Sequence, residues 1–232
     1  MLGKDVEMKN LITCLTVCVL SGFALADTWT VDDDGKADFD NIQAAVDAAS
    51  DGDEIIVMPG TYTSTQDGHV VNMLGKAVTL RSSDPSDPDV VAATIIDGEG
   101  ARRGIACFNN ETSKTIISGF TVTNGFGVDF DYDGDGDIDY SEDSGGGMYN
   151  GSSSPTVSNC AFSGNTATDE GGGMFNYNSS PTVTNCTFSG NTANDGYGGG
   201  DDEFLMLGRD GPADRASERK QAHPCRAFFR PV

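Results

Sequence analysis

The sequence predicts an all-β solenoid, a parallel β-helix closed at its N-terminal end by a short helix. Three observations carry that expectation: a tandem repeat, strand-like runs cut by turn residues, and a composition poor in material for an ordinary globular core. The segment Ser154-Pro155-Thr156-Val157-Ser158-Asn159-Cys160-Ala161-Phe162-Ser163-Gly164-Asn165-Thr166-Ala167 returns 26 residues later as Ser180-Pro181-Thr182-Val183-Thr184-Asn185-Cys186-Thr187-Phe188-Ser189-Gly190-Asn191-Thr192-Ala193. Gly145-Gly146-Gly147-Met148 returns with the same offset as Gly171-Gly172-Gly173-Met174, and a third triplet, Gly198-Gly199-Gly200, arrives one residue late.

One such unit is too short and polar to bury a face by itself, so stacking on its neighbour must complete the core. Short Thr/Val/Phe runs broken by Gly, Pro, Ser and Asn lack the 3.6-residue period of helical repeats. One coil per unit, stacked at the ~4.8 Å spacing of paired strands, satisfies the pattern. Val157 and Phe162 are expected to point inward over Val183 and Phe188. Asn159 over Asn185, and Asn165 over Asn191, are expected to form amide ladders at corners, where Asn tolerates unusual backbone angles. Cys160 over Cys186 is expected to be a stack of core thiols, although the spacing also permits a disulfide between coils.

Upstream, Glu54–Met58, Ala77–Leu80, Thr94–Asp97 and Thr115–Ser118 read as apolar strands bounded by turns. Ser118-Gly119-Phe120-Thr121-Val122 precedes Ser158-Asn159-Cys160-Ala161-Phe162 by 40 residues, one coil plus 14, which places an insertion at about 126–144. Before the strands, the alanine-rich Asp38–Ala49 predicts a short helix capped by Asp40 and followed by Asp51-Gly52. Its Ile42, Val46 and Ala49 share a face that would cover the open first coil.

The run Asn41-Ile42-Gln43-Ala44-Ala45-Val46-Asp47-Ala48-Ala49, then Gly52-Asp53-Glu54-Ile55-Ile56-Val57 and Pro59-Gly60-Thr61-Tyr62, resembles the N-terminal entry of pectin-lyase-like proteins. The Gly-Gly-Gly-Met and Phe-Ser-Gly-Asn-Thr-Ala elements resemble the repeats of polymorphic outer-membrane-protein type β-helices. The resemblance spans residues 27–200 and implies a right-handed parallel β-helix. Enzymes and non-enzymes share that fold, so it implies little about chemistry.

The formal charge is -22, and all of the excess lies before residue 201: residues 1–200 hold 8 Lys+Arg against 30 Asp+Glu, and residues 201–232 hold 6 of each. Such a surface repels phosphate backbones and anionic lipid, which argues against nucleic acid and for cations as partners. Lys4 and Lys9 ahead of the apolar run Leu11–Leu20, with Ala24-Leu25-Ala26 as a small-residue cleavage site, predict a bacterial Sec signal peptide over residues 1–26. An exported chain beginning at Asp27 follows, secreted or held at the cell surface. It has no later stretch of the ~18 apolar residues a spanning helix needs. It keeps four cysteines, Cys107, Cys160, Cys186 and Cys225, fewer than a disulfide scaffold uses.

Inside the insertion, residues 131–142 match the twelve-residue calcium loop of EF-hands. By that analogy Asp131, Asp133 and Asp135 offer carboxylates, Asp137 a backbone carbonyl, Asp139 a water-mediated contact and Glu142 a bidentate carboxylate. Gly136 permits the sharp turn. Crowded acids repel one another unless a cation neutralises them, and hard oxygen ligands favour Ca2+. Helices flanking the loop are not expected, because Ser144-Gly145-Gly146-Gly147 follows it. A solvated acidic loop is the alternative.

Enzymatic signatures are sparse. Asp97, Glu99, Arg102 and Arg103 form an acid-plus-arginine cluster, but Asp97-Gly98-Glu99-Gly100 reads first as a turn, and His69, after Asp67-Gly68, reads as a surface-loop histidine. The sequons at Asn110 and Asn178 read as turn asparagines. After Gly200 the repeat gives way to an arginine-rich stretch, residues 201–232, expected to be a truncated or frame-shifted end, with a capping or disordered tail as the alternative. Together these features predict a non-catalytic, calcium-stabilised surface β-helix for adhesion or carbohydrate contact. The alternative is a polysaccharide-active lyase or hydrolase.

Overall fold

The computed structural model describes residues 26–64, 68–127 and 143–194. In chain order the elements are β1 (Thr28–Val31), α1 (Ile42–Ala48), β2 (Glu54–Val57), β3 (Gly60–Tyr62), β4 (His69–Asn72), β5 (Thr79–Ser82), α2 (Pro88–Ala93), β6 (Thr94–Asp97) and β7 (Arg103–Cys107). There follow β8 (Ile116–Ser118), β9 (Thr121–Thr123), β10 (Phe126–Gly127), β11 (Met148–Gly151), β12 (Thr156–Ser158), β13 (Ala161–Ser163), β14 (Thr166–Ala167), β15 (Met174–Tyr177), β16 (Thr182–Thr184), β17 (Thr187–Ser189) and β18 (Thr192–Ala193).

The strands form four sheets, ordered β1-β2-β5-β8-β12-β16, β3-β6-β9-β13-β17, β4-β7-β11-β15 and β10-β14-β18. Every strand pairing among the described residues is parallel. From β2 onward, consecutive strands fall in different sheets, so the chain makes a circuit and returns beside its own earlier strand. This mainly-β arrangement of stacked parallel sheets is compatible with a parallel β-helix.

The register fixes the core. In the first sheet Ile55, Leu80, Ile117, Val157 and Val183 stand in one row. In the second, Tyr62, Ile96, Val122, Phe162 and Phe188 do so, and in the third Val71, Ile105, Met148 and Met174. Most of these side chains are fully buried, each contributing about 1.5–3 kcal/mol by leaving water. The expected inward stacks are present: Val157 is opposite Val183, and the Phe162 and Phe188 rings stack with centroids 4.9 Å apart.

The expected short helix is present: α1 packs on β1, β2 and β4 and buries Ile42, Ala45 and Val46, with Ala49 buried just beyond its end. Its cap, however, is Asn41, whose side chain accepts from the Ala44 N–H, whereas Asp40 accepts a bond from the Asn41 amide. Asn41 is the extended residue, at φ -143° and ψ 152°, immediately before the first helical residue Ile42, which is the position from which a side chain reaches a first-turn N–H. The strand expected over Ala77–Leu80 begins two residues later, at Thr79, and His69 opens β4 instead of lying in a surface loop.

The glycine triplets have distinct duties. Gly145 and Gly171 take φ of 71° and 62°, which a side chain disfavours. At Gly146 a Cβ would stand 2.1 Å from the Thr166 carbonyl oxygen of the next circuit, so only hydrogen fits.

Candidate functional site

The expected calcium ligands Asp131, Asp133, Asp135, Asp137, Asp139 and Glu142 lie outside the described residues. Both ends of the insertion that carries them are described. On the entering side, Phe126 and Gly127 pair with Thr166 and Ala167, the Phe126 N–H donates to the Arg102 carbonyl at 2.8 Å, and the Gly125 N–H donates to Asn165 Oδ1 at 2.8 Å. On the returning side, the Thr168 and Asp169 N–H groups donate to the Asp143 carbonyl at 3.0 and 3.3 Å, and the Gly145 N–H donates to the Glu170 carbonyl at 3.0 Å. The chain therefore leaves beside Ala167 and is back beside Thr168 and Asp169, consecutive positions on the neighbouring circuit. The pairs Ser118–Ser158 and Val122–Phe162 keep the 40-residue offset, and Met148–Met174 restores 26. The extra 14 residues thus lie between Gly127 and Asp143, where the acidic loop sits in the sequence.

Arg103 grips the returning end. It is fully buried in β7, its Nε donates to the Ser144 and Gly145 carbonyls at 3.2 and 3.0 Å, and its Nη2 donates to Ser144 at 2.7 Å. Its guanidinium lies 4.8 Å from the centre of the Tyr149 ring, which stacks on Phe175. A buried guanidinium is held in place by several acceptors and an aromatic face. His69 is the register partner of Arg103 and meets Phe108 edge-on at 6.0 Å. Burial, and then the Arg103 charge, push its imidazole down to about 4, leaving it neutral near pH 7.

Sequence reasoning had grouped Arg103 with Asp97, Glu99 and Arg102, and the structure separates them. Asp97 ends β6 and its Oδ1 accepts from the Glu99 N–H and the Asn124 amide, at 2.8 and 3.1 Å. Glu99 turns the chain at φ 57° and pairs with Arg102 at 2.7 Å. The turn reading therefore holds for Asp97–Gly100. Asp97, Glu99 and Gly100, with Asn124, Gly125, Phe126, Gly164 and Thr166, line a shallow groove of about 410 Å3. What the sequence did not disclose was the role of Arg103; its place at the head of the apolar run Gly104-Ile105-Ala106-Cys107, after Arg102, was the available signal.

The corner asparagines differ in depth. Asn165 is fully buried, and its Nδ2 donates to the Val122 carbonyl and to Asn191 Oδ1, both at 3.0 Å. Asn159 and Asn185 take φ of 54° and 52°, and their amides meet at only 3.4 Å. The sequon asparagines Asn110 and Asn178 likewise have positive φ. A third ladder, from the Asn150 amide to Asn176 Oδ1 at 2.8 Å, is buried and was not expected. Cys107, Cys160 and Cys186 are free thiols. Burial pushes Cys160 up, whereas a hydrogen bond from Cys160 lowers Cys186.

Among the described residues no group of three or more His, Cys, Asp or Glu is placed to hold a metal, and no helix is long and apolar enough to cross a membrane. In comparisons with known proteins, no family model matches the chain and no curated protein matches it significantly.

Proposed function

We propose that the protein belongs to the class of right-handed parallel β-helices of the pectin-lyase-like kind, exported by its leader and non-catalytic. More particularly, it is a cell-surface or secreted stack that binds one Ca2+ in its inserted loop and presents its repeated face for adhesion or carbohydrate contact. The observation that carries this reading is the pinned root of the insertion: a twelve-residue calcium-type loop occupies a 14-residue excursion whose ends return to one place on the neighbouring circuit. Asp131, Asp133, Asp135 and Glu142 would supply carboxylates, Asp137 a carbonyl and Asp139 a water-mediated contact. The bound ion would neutralise the loop and tie together the circuits on either side.

Calcium at about 1 mM, with a dissociation constant of roughly 0.1–1 mM as in extracellular modules, would add about 0.4–1.4 kcal/mol. That corresponds to a melting rise of roughly 1–5 °C. Melting curves with calcium and with chelator test this, and Asp131→Ala with Glu142→Ala should abolish the difference. Identical melting in all four conditions would remove the calcium reading. A polysaccharide panel tests the rest: retention without uronate release or unsaturated product is expected, and either product would make the protein an enzyme.

A further inference from the structure

Near the N-terminal end of the described residues a buried carboxylate has no ion-pair partner among them: the charge of Lys76 reaches it, but the Lys76 ammonium donates to the Val46, Asp47 and Ala49 carbonyls. Asp53 is 4% exposed, and its oxygens accept from three neutral donors: the Asp27 N–H at 2.8 Å, the Ser50 N–H at 2.8 Å and Trp29 Nε1 at 3.2 Å. No Lys, Arg or His among the described residues forms an ion pair with it. An ionised carboxylate removed from water is costly unless it is paired or well hydrogen-bonded. Here the hydrogen bonds from Ser50 and Asp27 hold the group below its ordinary range. Asp27 is pinned from both sides, since its carbonyl also accepts from the Glu54 N–H at 2.9 Å. Ala26 and Asp27 themselves are exposed.

Asp27 is also the residue that follows the expected leader cleavage site Ala24-Leu25-Ala26. We propose that cleavage after Ala26 creates a direct ion-pair partner for this carboxylate: the new α-ammonium of Asp27 is the ligand of Asp53, and the docked N-terminus locks β1 onto β2. The inference rests on the export reading and adds a binding site for its product. Water adds across the Ala26–Asp27 amide under a leader-cleaving peptidase. The hydroxyl goes to the Ala26 carbonyl carbon, leaving a carboxylate on the leader, and the nitrogen keeps its proton and takes up two more as an ammonium. That nitrogen already lies within hydrogen-bond distance of Asp53, so no rearrangement is needed. One neutral N–H becomes a charged donor with three protons, and charge-assisted bonds are roughly twice as strong as neutral ones.

The test has two readouts. Mass spectrometry of the exported protein should find Asp27 as its first residue. Full-length mature chains beginning at Asp27, at a single glycine placed before Asp27, or at an α-acetylated Asp27 are then melted, each with Asp53 or Asp53→Asn. The free Asp27 chain should melt about 2–4 °C above the other two, as expected for a gain of about 1 kcal/mol in a chain of this size. The gap should vanish in Asp53→Asn. If that variant does not fold, the acetylated chain makes the comparison with the core intact. Equal melting of free and blocked chains, or a gap that persists without the carboxylate, overturns the proposal and leaves export standing. A protein that keeps its leader removes export and the proposal together.

Discussion

Replacing Asn165 with alanine tests whether the corner ladders are structural necessities or decoration. The side chain is fully buried, accepts from the Gly125 N–H at 2.8 Å, and donates to the Val122 carbonyl and Asn191 Oδ1. Alanine leaves the Gly125 N–H buried without a partner, at about 1–3 kcal/mol, and forfeits the two amide bonds, for a total of about 2–4 kcal/mol. Thermal melting should fall by roughly 5–15 °C, with a matching fall in urea midpoint at unchanged slope. Asn159 is the control. Its amide contact is long and its φ of 54° suits glycine, so Asn159→Gly should stay within about 0.5 kcal/mol of the parent. If Asn165→Ala costs less than about 0.5 kcal/mol, the hydrogen-bond argument for the corner is wrong. Because Gly125 lies two residues before the end of β10, the same substitution should also weaken calcium binding, read by titration calorimetry.

Other outcomes follow from the same geometry. Gly146→Ala sets a methyl 2.1 Å from a backbone carbonyl and should cost about 3 kcal/mol by urea denaturation; near-neutral behaviour would mean the circuits can part. His69, held near 4 against an ordinary 6.5, contributes stability above pH 6.5 that is lost as pH falls towards 4. The loss is up to about 3 kcal/mol, and His69→Gln should flatten that part of the profile, measured as urea midpoints at pH 7.5 and 4.5. Native-state alkylation followed by peptide mapping should label Cys186 well before Cys160 and Cys107, which are fully sequestered thiols; equal rates would contradict the burial.

The repeated circuits were legible because each residue type recurs at the place where its chemistry is used. Val157 and Phe162 announce the interior by returning as Val183 and Phe188, and the 40-residue offset from Val122 to Phe162 located the insertion. Legibility failed where an element has no repeat to compare with. β7 carries a buried arginine among residues covered on both faces, so it shows no alternation. α2 hides in Asp84-Pro85-Ser86-Asp87-Pro88, which reads as punctuation although Asp87 caps a helix that begins at Pro88. β1 is split from its partner β2 by a whole helix, so no local pattern ties Thr28–Val31 to Glu54–Val57. The candidate site divides the same way: its acids are explicit in the sequence, and the grip of Arg103 on Ser144 and Gly145 is a long-range contact that spacing does not encode.

That grip bears on why the stack tolerates so acidic an excursion. Closing a loop of this length costs conformational entropy that grows only slowly with size, each doubling adding about 0.6 kcal/mol. Length is therefore not the main burden, and charge is. No Lys or Arg occurs in the sequence from Thr115 to Gly200, the stretch that carries the acids of residues 129–142. The cation fixed at the returning end comes from the preceding circuit, as Arg103, with its charge already engaged by two backbone carbonyls. One guanidinium so engaged offsets little of the repulsion among the loop's carboxylates, whereas a divalent ion supplies two charges at the ligands themselves. On this reasoning Arg103 positions the root, and the proposed calcium ion would neutralise the loop. Arg103→Met should then lower stability with or without calcium, while the size of the calcium-induced melting shift stays close to that of the parent. A calcium shift that disappears in Arg103→Met would instead make the arginine part of the binding site.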